Sequence, residues 1–172
     1  MIRKAENKDY EELIKLVYQV HKLHCENRPD IYVDGNPFPK NYFDNMLNDE
    51  KSLILVFEED KKIVGLLTAS IKHNNPISIA KSRTVYFIED IVVDNNYRRK
   101  GIGKQLYNYL EEKAIKEGID AIELNVWAFN KTALEFYQSL GMSVKNLKLE
   151  KQLNSTDVEI DKLNLNITNK VK

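Results

Sequence analysis

The sequence predicts a single α/β domain built on a mixed sheet of about six or seven strands flanked by helices. Three observations lead there. Between Thr84 and Val126 a strand-like run, a glycine loop, an amphipathic helical pattern and a second strand-like run follow one another, the order of a right-handed crossover between parallel strands. Upstream, Ser52 to Phe57 and Ile63 to Ile71 are apolar, β-rich runs joined by the polar turn Glu58-Glu59-Asp60-Lys61-Lys62, which makes them an antiparallel pair. Finally, 172 residues with 26 basic and 26 acidic side chains suffice for one core and call for no second domain.

The elements follow in order. Leu13, Leu16, Val17, Val20 and Leu23 recur at helical spacing, with Glu11, Glu12, Lys15 and Lys22 on the opposite face, so Tyr10 to Leu23 reads as an amphipathic helix. Pro29, Gly35, Pro37 and Pro39 then impose a loop that is long for a small domain, and long loops are often functional. Tyr42, Phe43, Met46 and Leu47 mark a short second helix, and the antiparallel pair comes next. A polar segment with Asn74, Asn75 and Pro76 leads, through a further hairpin, to Thr84–Asp94, the longest strand candidate. Ile102, Leu106, Leu110 and Ala114 define the crossover helix, which Gly118 is placed to cap. Ala121 to Val126 is the parallel strand, Asn130 to Leu140 a helix stopped by Gly141, and about Ser143 to Leu153 a last strand. The domain is assigned to residues 1–153. The polar tail 154–172 reads either as a further edge element or as disordered chain.

Composition narrows the function. Zero net charge gives no global field toward nucleic acid or a membrane surface, and no apolar run approaches the roughly 20 residues of a spanning helix. The one cysteine, Cys25, and an amino terminus without the apolar core of a signal peptide suggest a cytoplasmic protein. His21, His24 and Cys25 share a helical face, but His73 is the one remaining histidine and no fourth-ligand cluster is evident, so no metal is expected.

The functional signal lies at Tyr97-Arg98-Arg99-Lys100-Gly101-Ile102-Gly103-Lys104. A helix start carries unpaired N–H groups and about half a positive charge, and so holds phosphate readily. A dinucleotide fingerprint would need Gly or Ala at position 106, where Leu106 stands; a Walker loop would need Ser or Thr at Gln105 and glycine at Arg98. What remains is Arg/Gln-x-x-Gly-x-Gly/Ala, met by Arg98, Gly101 and Gly103. Four cations at a helix N-terminus oppose its dipole unless an anion sits nearby. Within the preceding strand, Glu89 and Asp90 are adjacent carboxylates among Phe, Ile and Val, costly without a role or partner, and strand alternation sends them to opposite faces.

The strand Phe87 to Asp94, the loop Arg98 to Lys104 and the pattern Asn130-x-x-Ala133-x-x-Phe136-Tyr137-x-x-Leu140-Gly141 together resemble the GNAT superfamily of acetyl-CoA-dependent N-acetyltransferases, over roughly Ile2 to Leu153. The resemblance implies a GNAT-like fold that moves acetyl from acetyl-CoA to a primary amine by direct attack. Residues Arg98, Arg99, Lys100, Gly101, Ile102, Gly103 and Lys104 would hold the pyrophosphate, although Arg99 stands where the family often has glycine. The backbone of Ile91, Val92 and Val93 would pair with the pantetheine and hold the oxyanion. Asn130 is either a cofactor contact or simply a helix N-cap. Tyr137 would be the acid at the departing sulfur and Glu89 the base, with Asp90 as the alternative or as a substrate contact. His24, Asp30, Tyr32 and Asp34, from the first helix and its loop, are candidate acceptor contacts that suggest a cationic amine. A non-catalytic CoA-binding or sensing module on the same fold is the competing expectation; a nucleic-acid partner is disfavoured by the charge balance. A homodimer is compatible with the sequence.

Overall fold

The computed structural model describes residues 1–74 and 79–153. Its elements are β1 (Ile2–Lys4), α1 (Tyr10–Asn27), α2 (Lys40–Asn48), β2 (Ser52–Glu59), β3 (Lys62–Asn74), β4 (Arg83–Val93), α3 (Ile102–Lys116), β5 (Ala121–Leu124) and α4 (Lys131–Ser139). The five strands lie in sequence order. β1 to β4 are antiparallel neighbours, and β4 and β5 are parallel across the α3 crossover.

Both faces of the sheet are covered, as a crossover helix on one side and an amphipathic helix pair on the other require. One face packs α1 and α2 through Leu13, Leu16, Val17, Phe43 and Met46 against Ile54, Val56, Leu66 and Val92. The other packs α3 through Ile102, Leu106, Leu110 and Ala114 against Leu55, Val64, Leu67, Tyr86 and Ile88. Leu13, Phe43, Leu106 and Leu110 are fully buried, each stabilising the fold by about 1.5–3 kcal/mol. Gly65 is where the sheet meets α3 most closely: a Cβ there would stand 2.8 Å from Ile102 Cγ2 and 3.1 Å from Leu106 Cδ1.

Two strand expectations need correction. Among the described residues the sheet has five strands rather than six or seven, because residues 143–150 pair with nothing. The apolar residues of that segment, Val144, Leu147 and Leu149, remain exposed. Its link to the edge strand β5 is a side-chain ion pair, Lys145 Nζ to Glu123 Oε1 at 2.6 Å, which builds no ladder. The longest strand is β3, not β4. The hairpin anticipated around Asn75 and Pro76 and the tail 154–172 lie outside the described residues.

Gly65→Ala should cost about 1–3 kcal/mol, because the β-branched Ile102 cannot yield space freely. Urea denaturation would report it as a lower midpoint with an unchanged slope.

Candidate active site

The site forms where β4 changes register. Thr68 pairs with Asp90 but Ala69 pairs with Ile88, so Glu89 is the extra residue of a β-bulge. A bulge breaks the two-residue alternation. Tyr86 and Ile88 face α3 before it, and Ile91 and Val93 lie on that side after it, while Val92 joins the α1/α2 face. The expectation that Glu89 and Asp90 point to opposite faces is therefore wrong: the extra residue turns both toward α1 and α2. Phe87, Ser70, Lys72 and Thr68 share that face by the same register.

The two carboxylates live differently. Glu89 is exposed and engaged: Ser70 Oγ donates to its Oε1 at 2.9 Å, and Lys72 Nζ stands 3.5 Å away. Burial pushes the Asp90 carboxyl above the usual carboxylate range; the neighbouring Glu89 charge adds to this, and the Thr68 hydroxyl opposes it. Thr68 is fully buried, yet its Oγ1 makes no hydrogen bond of good geometry. On α2, Tyr42 is raised by desolvation, then by the charges of Glu89 and Asp90, which places it over the same pair. On α4, the Tyr137 phenol is pushed up to about 12 by burial and secondarily by the Asp90 charge. Asp90 and Tyr137 thus share one electrostatic neighbourhood.

The same stretch frees a backbone edge. β4 and β5 pair only from Val85↔Ala121 to Ile88↔Leu124, so beyond the bulge, through Ile91, Val92 and Val93, the β4 edge facing β5 has no partner strand among the described residues. At its end Arg98 Nε donates to Val93 O at 3.3 Å. Arg99 adopts φ 61° and Gly101, the N-cap of α3, φ 78°, left-handed conformations that glycine takes without strain. Gly101 brings no capping side chain, and Gln105 N to Gly101 O at 3.0 Å is the first bond into the helix. The amides of Ile102, Gly103 and Lys104 therefore open outward from the helix start, with Lys104 and Arg99 exposed beside them. Gly103 serves a second purpose, since a Cβ there would stand 3.2 Å from Phe136 Cζ. Its bare backbone lets α4 dock on the first turn of α3. Lys62, from β3, and Lys100 hold their ammoniums 5.2 and 4.6 Å from the Tyr97 ring centroid, an addition to the cationic loop that spacing along the chain could not reveal.

Asn130 is the N-cap of α4, its Oδ1 accepting from Ala133 N at 3.2 Å. His24 and Tyr32 stack at 5.1 Å, and Trp127 and Phe129 complete their aromatic cluster. Desolvation lowers the His24 pKa, helped by His21. Asp30 is held by Arg28 and Gln152, and Asp34 by the Tyr18 hydroxyl at 2.8 Å; both carboxylates thus serve the loop itself. A surface cavity lined by Ile14, Lys15, Tyr18, Gly35, Asn36 and Pro37 shares no residue with the carboxylate pair. Among the described residues no cluster of His, Cys, Asp and Glu is arranged to hold a metal, and no helix is long and apolar enough to cross a membrane.

The bulge, the buried Thr68 hydroxyl beside Asp90 and the approach of Tyr42 to the carboxylate pair are what sequence reasoning missed. A signal for the bulge did exist: the α3-facing apolar residues run at even numbers to Ile88 and at odd numbers from Ile91.

The features of this cradle suit acetyl-CoA. Unpaired helix-start amides, cations, open space before Gly101 where a Cβ would meet nothing within 4 Å and a free strand edge suit an anionic, amide-bearing chain. Comparisons agree. A family model described as "Acetyltransferase (GNAT) family" matches residues 17–142. An uncharacterised N-acetyltransferase of Methanocaldococcus jannaschii is 30% identical over 85% of this chain and 62% of its own. An L-ornithine N5-acetyltransferase of Arabidopsis thaliana is 37% identical over 54% of this chain and 40% of its own. The chain thus spans less than two thirds of the length of either relative. The crystal structure of a mutant Bacillus halodurans protein superposes with a TM-score of 0.88 at 32% identity, covering 90% of this chain and 99% of that one.

If Asp90 and Tyr137 are coupled, Asp90→Asn will bring the Tyr137 phenol down from about 12, because a nearby negative charge disfavours the phenolate. NMR of ring-labelled tyrosine across an alkaline titration reads this, and an unmoved Tyr137 resonance would disprove the coupling.

Proposed function

This chain belongs to the acetyltransferase (GNAT) family, and from that premise we propose that it acetylates a primary amine by direct attack, with acetyl-CoA as donor. The observation that carries the reading is the free strand edge of Ile91 to Val93 beside the uncapped helix start at Gly101, with Asp90 and the Tyr137 phenol in one electrostatic neighbourhood next to it. Acetyl-CoA bound there supplies an activated acyl thioester. Arg98, the amides of residues 101 to 104 and the cations Arg99, Lys100 and Lys104 hold its phosphates, and the edge of Ile91 to Val93 holds its amide-bearing arm and the carbonyl oxygen.

Within this reading Asp90, rather than Glu89, takes the proton. An alkyl ammonium has a pKa near 10.4, and the raised Asp90 carboxyl narrows the gap that proton transfer must cross. Glu89, engaged by Ser70 and Lys72, is the neighbour whose charge helps raise Asp90. Tyr137 then acts at the sulfur. At about 12 its phenol is a weaker acid than a thiol of about 8.5, so it begins as a hydrogen-bond donor. Once Asp90 has been neutralised by the amine's proton, the charge that helped raise Tyr137 is gone, and the phenol becomes more acidic just as the thiolate departs. The Arabidopsis relative's name refers to the side-chain amine of an amino acid, which supports an amine acceptor.

Asp90→Asn should lower kcat by about 10²–10⁴, while Glu89→Gln loses less at a saturating acceptor and moves the acid limb of kcat/KM to lower pH, since an uncharged neighbour lets Asp90 ionise more easily. Steady-state assays with free thiol as readout, preceded by calorimetric binding of acetyl-CoA, test both. Near wild-type turnover in Asp90→Asn would remove Asp90 as base, and absence of acetyl-CoA binding would sink the reading as a whole.

A further inference from the structure

Helix α4 carries Tyr137 but buries little. None of its residues is fully buried, whereas α3 buries Ile102, Leu106, Tyr107, Leu110 and Ala114. Because a short helix draws most of its stability from packing, one with so little buried surface depends on whatever grips its flanks. On the N-terminal side, Trp127 O accepts from Asn130 N at 2.9 Å, and Asn130 Oδ1 accepts from Ala133 N at 3.2 Å. The Trp127 turn therefore leads directly into the helix. On the C-terminal side follows the segment 143–150, which no strand pairs.

Both flanks converge on one side chain. The Arg28 Cζ stands 5.0 Å from the Trp127 ring centroid, and Arg28 Nη2 donates to Glu150 Oε2 at 2.7 Å. Nη2 and Nε also hold Asp30 Oδ2 and Oδ1 at 2.7 and 2.9 Å, which fixes the guanidinium to its own loop. Two further contacts join the same segments: Trp127 Nε1 donates to the Tyr32 hydroxyl at 3.2 Å, and Gln152 Nε2 to Asp30 Oδ2 at 3.0 Å. The Arg28 side chain is only 18% exposed. A planar fork meets two carboxylates and an indole face at once, which a lysine ammonium does not. Resting on the role given to Tyr137 above, we infer that Arg28 is a positioning residue: it clamps the turn before α4 to the segment after it and so fixes where Tyr137 stands. Phe136 seats one side of the helix against α3 at Gly103, and Arg28 secures its two flanks. The loop that bears Asp30 and Tyr32 hangs on the same guanidinium, so it keeps a constant position relative to α4.

Amide hydrogen exchange at neutral pH, on the free protein, reads the clamp. Arg28→Ala should speed exchange across α4 by about tenfold while α3 keeps its protection, because losing the clamp opens one helix locally. Arg28→Lys should behave like Arg28→Ala and not like the wild type, since it keeps the charge and loses the fork. In Arg28→Ala the Tyr137 phenol should also titrate below the wild-type value of about 12, because a loosened helix lets water reach the ring; NMR of ring-labelled tyrosine reads this. Circular dichroism confirms that both variants are folded. A merely structural Arg28 would lower the urea midpoint, speed exchange in α3 and α4 alike and leave Tyr137 unmoved in the folded protein. That pattern, or wild-type exchange in α4, overturns the inference and leaves amine acetylation in place, since neither readout involves acetyl transfer. A loosened α4 with undiminished thiol release overturns the role given to Tyr137 and, with it, the bearing of Arg28 on the reaction.

Discussion

One extra residue in one strand organises the candidate site. Without the bulge at Glu89, β4 would alternate from Arg83 to Val93, and one of the two adjacent carboxylates would be driven into the apolar layer beneath α3, among Leu106, Leu110 and Ile88. Burying an unpaired charge there would cost several kcal/mol. With the bulge, both turn toward α1 and α2, where Ser70, Lys72 and Tyr42 meet them. The β4–β5 ladder also ends at Ile88 and Leu124, one residue before the bulge. The position that gathers the acidic groups is thus the position at which the backbone edge becomes free, so one local irregularity sets both halves of the candidate site.

The second half is tied to the first through packing. Gly101 supplies the left-handed turn into α3, but Gly103 lies at an approach of helices: its missing Cβ admits the Phe136 ring. Tyr137 is the next residue of α4, so its aim depends on how Phe136 seats against the phosphate-facing turn. A side chain at 103 would displace α4 and with it the phenol near Asp90. In the proposed reaction, the glycine that lets a phosphate approach on one side thereby positions the Tyr137 phenol on the other.

Much of this was legible in the chain. The hairpin of β2 and β3 follows from two apolar runs about a charged turn, and the four-residue recurrence Ile102, Leu106, Leu110, Ala114 names a helix face that is buried throughout. Gly118 and Gly141 adopt positive φ just past the helices they were expected to end. Asn130 proved to be an N-cap by its own side chain. What pattern reading missed is register. Periodicity assigns faces only while the ladder is regular, so a rule of strict alternation placed Glu89 and Asp90 apart although the apolar residues around them had already changed parity. The strand expected from Ser143 onward fails for a different reason: alternation describes a strand's faces, whereas a strand also needs a partner's backbone, and β5 offers an edge of only four residues.

The distinction between Glu89 and Asp90 shows why chemistry at this site needs the fold. By type and position the two are nearly interchangeable, and composition cannot rank them. Their environments can. Glu89 has solvent, Lys72 at 3.5 Å and the Ser70 hydroxyl donating to it; Asp90 has burial and a like charge beside it, which together raise its pKa against the opposing Thr68 hydroxyl. In the proposed reaction the desolvated carboxylate is the proton acceptor, and its neighbour supplies the like charge that raises it. Lys72 holds that neighbour from the adjacent strand, 3.5 Å from Glu89 Oε1, so the fold fixes where the like charge stands relative to Asp90.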